Sequence, residues 1–281
     1  MRTRLRCVRT VTRVPSLLLA VLAVLGATPK SGYSQRPQFR VSYVPPTSAQ
    51  DRFLYSYLRE VRFLESAATR LNGYLRLRKP ILLVVSSCSK ANASFDPNSN
   101  TVRLCYQLVS EIMDPLSELP NDDMSLAGSV DAGMDMVDEA ISISRFFLFH
   151  EVGHALIATL RLPVTGRKED AADQLGIVLL EKNFGGPNGP AGVDIAGAGL
   201  VFSAWARDQG ITYDALTDVH ALPDQRAANI TCWEYASDTT GVLRPADRLL
   251  LSSARVNQCE EEWGTIRASW TALLRPFIRS N

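Results

Sequence analysis

Two of the chain's three histidines stand four residues apart, His150 and His154, and Glu151 directly follows the first. On an α-helix, positions i and i+4 share one face. Both imidazoles can therefore aim at one point while the Glu151 carboxylate flanks it. A zinc ion takes nitrogen, sulfur or oxygen donors at about 2.0–2.3 Å in roughly tetrahedral placement, and two imidazoles at this spacing supply half of such a set. A neighbouring glutamate can accept a proton from a water that the metal acidifies. The flanks add weight, because Phe146, Phe147, Leu148, Phe149, Val152, Ala155, Leu156 and Ile157 would bury this helix nearly all round. Burying imidazoles and a carboxylate there is costly unless something pairs with them, and a metal is such a partner. Gly153 costs up to about 1 kcal/mol against alanine inside a helix, which makes sense where a neighbouring backbone needs room. Residues 151–154 also read Glu-x-x-His, but di-iron bundles need that motif on two helices. The remaining histidine, His220, has Thr217 three residues before it.

A third protein donor is expected, with one position left for water. The nearest acids are Glu169, Asp170 and Asp173, at the start of a segment with helical patterning. Fourteen residues separate His154 from Glu169, with Pro163 and Gly166 to reverse the chain. Glu169 and Asp173 are again i and i+4. If Glu169 binds the metal, Asp173 can accept a hydrogen bond from the far nitrogen of a ligand histidine, fixing the ring and raising its basicity. Asp170 or Asp173 as the ligand is the alternative, and acids at a helix N-terminus are also favoured by its dipole alone. His220, with Asp218 and Asp224 close by, is a candidate donor to the oxyanion that develops when a carbonyl is attacked. Tyr213 and Tyr235 are substitutes for it, and Arg226 is read as a structural ion-pair partner of the acids around it.

These residues need a scaffold. Apolar positions from Thr47 to Leu71 recur at helical spacing, with Thr47 or Ser48 as cap and Gly73 as stop. Pro80 opens "ILLVV", a buried strand. The "DPNSN" turn separates "ANASF" from "TVRLCYQLV", which alternate as hairpin strands do. Residues 114–133 read as loop. Helices are expected at about 134–160, 169–183, 191–209, 223–237, 245–256 and 258–277, punctuated by proline and glycine. A helix, a few strands and then helices only make an α+β fold with segregated layers.

Residues 1–27 pair five arginines with the apolar core "VPSLLLAVLAVLGA", which reads as a secretory signal peptide too short to span a bilayer. Residues 28–46 read as a flexible lead-in, and 47–281 as one domain, with the sheet and active-site helix in 47–160 and the helical part in 161–281. Without the signal, 25 basic and 29 acidic residues remain, a net charge of −4, which argues against nucleic acid as a partner. No later segment is apolar enough to insert in a membrane. Four cysteines then remain, an even number suited to disulfides in an exported chain. Sequence proximity pairs Cys88 with Cys105 and Cys232 with Cys259.

"HEVGH" followed by "EDAAD" resembles the HExxH…ExxxD pattern of the gluzincin, thermolysin-like metallopeptidases. The resemblance implies a zincin-like fold, one zinc ion on His150, His154 and Glu169, Glu151 as general base, and Asp173 orienting a ligand histidine. The gap between the two motifs is shorter here than in thermolysin-like enzymes. "NAS" at 92–94 resembles their substrate-pairing edge strand, which would give Asn92 and Ala93 to substrate binding, and that class also places a histidine where His220 could stand. From about Leu82 to Ser237 the chain is similar to a family of uncharacterised, mainly bacterial exported proteins of metallopeptidase type. "CSKANASFDP", "VRLCYQLV", "FHEVGHALI", "LPVTGRKEDAADQLG" and "HALPDQRAANITCWEYASD" carry that likeness. The expected function is hydrolysis of peptide or protein substrates outside the cytoplasm. The competing reading is a non-catalytic binding or scaffold protein stabilised by zinc, which would need a fourth protein ligand.

Overall fold

The computed structural model describes residues 38–117, 136–185, 190–208, 211–237 and 251–279. The signal peptide expected at 1–27 lies outside these residues. Strand β1 (Phe39–Tyr43) is followed by helices α1 (Ala49–Glu60) and α2 (Phe63–Tyr74), then strands β2 (Ile81–Ser86), β3 (Ala93–Asp96) and β4 (Thr101–Cys105). Helices α3 (Tyr106–Ser117), α4 (Met136–Leu160), α5 (Lys168–Phe184), α6 (Pro190–Asp208), α7 (Tyr213–Thr217), α8 (Pro223–Ser237) and α9 (Ser253–Leu274) complete the order. A small sheet and a mostly helical remainder make the fold α+β, as expected.

The sheet runs β1-β2-β4-β3. β1 and β4 both pair parallel with β2, with Phe39 opposite Ile81 and Leu82 opposite Thr101. β3 folds back antiparallel on β4, with Ala93 opposite Leu104, and forms one edge. β2 reads as an apolar run because parallel neighbours flank it and it is buried along nearly its whole length. The disulfide Cys88–Cys105 staples the loop before β3 to the end of β4. A second, Cys232–Cys259, ties α8 to α9.

Six local readings need correction. Residues 39–43, taken as part of a flexible lead-in, form β1; Phe39, Val41 and Tyr43 alternate with polar residues over too short a run to stand out between prolines. The helix expected over 47–71 is two, because Arg62 adopts φ 54° and breaks it. A left-handed residue that is not glycine leaves little trace in a sequence. Gly73 lies inside α2, which ends at Tyr74 with Leu75 as its C-cap. "YQLV" is the first turn of α3, burying Leu108, Val109, Ile112 and Leu116 at helical spacing. Short apolar runs do not distinguish strand from helix. α3 also extends into the stretch read as loop. The last two expected helices are one, α9, from Ser253 onward, while 245–250 lie outside the described residues.

α4 is the centre of the molecule. It packs against α3, α5, α6, β3 and β4, and it is buried on almost every face, as a helix apolar all round should be. Its closest approach is to α5. A Cβ on Gly153 would meet the Ala172 carbonyl oxygen at 2.9 Å, and one on Gly176 would meet His150 N at 3.1 Å. The two backbones therefore touch where the chemistry-bearing residues sit. Elsewhere, Leu75 bridges to Ile278, Arg279 N donates to the Tyr74 carbonyl (3.0 Å), and Arg279 Nη2 reaches Gln38 Oε1 (3.3 Å). No helix among the described residues is long and apolar enough to cross a membrane.

Candidate metal centre

His150 and His154 leave α4 on one face, and their Nε2 atoms stand 3.1 Å apart. Glu169, in the first turn of α5, brings Oε2 to 3.3 Å from His150 Nε2 and 3.0 Å from His154 Nε2. The α4–α5 backbone contact sets this approach. Tetrahedral donors on bonds of about 2.0–2.1 Å lie about 3.3 Å from one another. The three donor atoms thus have the spacing of one face of a zinc coordination tetrahedron, and they could hold such an ion.

Asp173 sits one turn further along α5. Its Oδ1 accepts from His150 Nδ1 at 2.7 Å, which fixes the tautomer and leaves the Nε2 lone pair aimed into the cluster. Asp173 is itself held by Arg226 from α8, with Nε to Oδ2 at 2.9 Å and Nη2 to Oδ1 at 2.7 Å. The guanidinium lies over the Phe202 ring, 4.1 Å from its centroid, a cation–π contact. Both Asp173 oxygens are thereby engaged. Asp170 enters neither group of potential metal donors among the described residues. Of the three acids considered, Glu169 alone points at both imidazoles.

Charge follows this geometry. Burial lowers the affinity of His150 for a proton, but the Asp173 carboxylate outweighs it and holds the pKa up at about 9. A metal would displace that proton. Burial pushes Asp173 up, and Arg226 and His150 more than reverse it, down to about 2. Burial also opposes ionisation of Glu169, yet hydrogen bonds from three imidazoles hold its carboxyl well below the usual range. Glu151 differs: burial raises its pKa and the imidazoles only partly offset this. Its Oε1 lies 3.9 Å from His150 Nε2, beside the donor cluster. A carboxylate desolvated in this way is a better proton acceptor than one in water.

The third imidazole also arrives. His220, between α7 and α8, places Nε2 3.1 Å from Glu169 Oε2, and its Nδ1 contacts Asp218 Oδ1 at 2.9 Å. Its pKa is raised, first by the hydrogen bond to Glu169. Asn92 and Ala93, at the sheet's edge, line one cleft of about 460 Å³ together with His150, Glu151, His220, Arg226, Phe202 and Trp205. Of the residues singled out in the sequence, Asn92, Ala93, His150, Glu151 and His220 line this cleft, and His154, Glu169 and Asp173 join it through their contacts with His150, whereas Tyr213 is 79 % exposed on α7. Arg226, expected to pair with acids near it in sequence, pairs with Asp173, 53 residues away, a partner with no local signature. The apolar wall of Phe147, Phe202 and Trp205 went unread, since core aromatics and cleft aromatics look alike in a sequence.

No curated protein and no solved structure matches the chain. A family model described as "Putative metallopeptidase" matches residues 43–274, well over half of the chain.

Proposed function

The chain belongs to this family, and on that premise we propose that it is an exported, zinc-dependent metallopeptidase of zincin-like fold that cleaves peptide bonds in peptide or protein substrates. One observation carries the reading: two imidazole nitrogens and one carboxylate oxygen stand 3.0–3.3 Å apart beside a buried fourth group, Glu151, at the floor of a cleft. Two disulfides are compatible with export.

In this reading His150, His154 and Glu169 hold one zinc ion, which when bound supplies Lewis acidity to a water and to the scissile carbonyl. Asp173 keeps His150 in the ligating tautomer, and Arg226 keeps Asp173 charged. Glu151 accepts a proton from the attacking water and passes it to the leaving amine, a role suited to its raised pKa. His220 donates from Nε2 to the carbonyl oxygen as negative charge develops there. β3 is an edge strand, so the backbone at Asn92 and Ala93 can pair with an extended peptide.

The test is zinc analysis followed by digestion of a peptide library with the wild type and Glu151→Gln. Cleavage abolished with zinc retained is the expected result. Zinc held without cleavage by either form points instead to the non-catalytic, zinc-stabilised scaffold.

A further inference from the structure

The chain has three histidines, and all three present Nε2 to the same atom. His150, His154 and His220 stand 3.3, 3.0 and 3.1 Å from Glu169 Oε2. His150, Glu169 and His220 also form a second group whose donor atoms lie within 4.8 Å of one another. Two independent features make His220 resemble a ligand. Its distance to Glu169 matches the ligand–ligand separation of about 3.3 Å in a tetrahedral zinc site. Its other ring nitrogen faces a carboxylate, Asp218 Oδ1, at 2.9 Å, and that same oxygen accepts the His220 backbone N–H at 2.8 Å. This repeats on the rim the arrangement of Asp173 and His150 on the floor: a carboxylate fixes Nδ1–H and frees the Nε2 lone pair.

The element carrying His220 is unlike the other two. α7 has no buried side chain, and Ile211, Tyr213, Leu216 and Val219 are 72, 79, 58 and 67 % exposed. His220 itself is half-exposed, and its polar contacts are to Asp218 within the segment and to Glu169. Residues 211–220 bury no side chain, and the first buried one after them is Ala221, so the stretch up to His220 can move without unpacking a core.

Resting on the zinc reading above, we propose that His220 is a fourth, detachable protein ligand that closes the metal site until substrate displaces it. At rest, three imidazoles and one carboxylate would then hold the ion and leave no corner for solvent. Movement of residues 211–220 opens that corner. On release, Nε2 takes up a proton from solvent and becomes the donor to the oxyanion. The device would keep a peptidase silent unless a ligand competes for the metal.

X-ray absorption at the zinc edge tests this on the untagged, zinc-loaded full chain, because bound imidazoles can be counted. Three are expected in the wild type and two in His220→Ala; two in the wild type overturns the proposal, and this result does not depend on the variant folding. Excess acetohydroxamate should lower the wild-type count from three to two. A count that stays at three makes His220 a permanent structural ligand and overturns detachment. In chelator competition, His220→Ala should hold zinc about 10–100-fold more weakly, and equal affinity counts against ligation. A chain that takes up no zinc, or binds it with no imidazole, sinks the metal centre itself.

Discussion

His150 and His220 meet the same carboxylate oxygen, yet one is carried by a helix buried on nearly every face and the other by a segment that buries no side chain of its helix. Behind His150 stand Asp173, then Arg226, then the Phe202 ring. Behind His220, among the described residues, stands Asp218, two residues away on the same exposed segment. The same imidazole–carboxylate unit thus occurs once on a buried scaffold and once on an exposed one. Under the proposal above, the first would hold the ion and the second would make way for a substrate.

Substitutions can break this contrast. The largest effect is expected for His150→Ala, which removes a floor ligand: zinc binding and cleavage should both be lost, read by metal analysis and a peptide assay. Glu151→Gln should lower the cleavage rate by about 10²–10⁴-fold with zinc content and melting temperature kept. Arg226→Met leaves Asp173 buried against His150 without its cation. Losing one partner of a buried ion pair costs about 3–5 kcal/mol, so a large drop in the denaturation midpoint is expected, along with weaker zinc binding. Gly153→Ala should cost about 1–3 kcal/mol by forcing α4 away from α5, and zinc affinity should fall with it. On the rim, Leu216→Ser and Val219→Ser should change stability by no more than about 0.5 kcal/mol.

Acid titration of the zinc-free protein sharpens the same contrast. The Asp173 pKa is depressed in the folded chain to about 2, below its ordinary value of about 3.9. The stability it contributes is therefore fully present above that ordinary value and is lost as pH falls towards 2. Acid unfolding curves of the wild type should show this component, and Arg226→Met should show less of it.

The floor was the readable part. His150, Glu151 and His154 declare themselves by i, i+4 spacing in an apolar run, and Glu169 and Asp173 repeat that spacing one turn-reversal later. Such patterns are local, and a helix converts them into geometry directly. The rim was less readable. His220 meets Glu169 from a different element far along the chain, so only the tertiary fold reveals the contact, and α7 is too short to show periodicity. Arg226 lies 53 residues from Asp173, so only the tertiary fold reveals the pair. Within the scaffold, the buried strand β2 and the long helices were plain, whereas the left-handed Arg62 and the brief strand β1 were not. Both are set by packing partners rather than by runs of residue types.

The bridge from Leu75 to Ile278, with Arg279 reaching Tyr74 and Gln38, fastens the first strand's neighbourhood to the last described residues. A polypeptide latched in this way cannot complete its architecture while its tail is still being synthesised. Ribosome-bound chains would leave the β1 side of the sheet unclasped until Ile278 and Arg279 emerge. Trimming the chain after Leu274 should slow refolding and expose the β1 margin to proteolysis, even though every residue of the cleft remains in place.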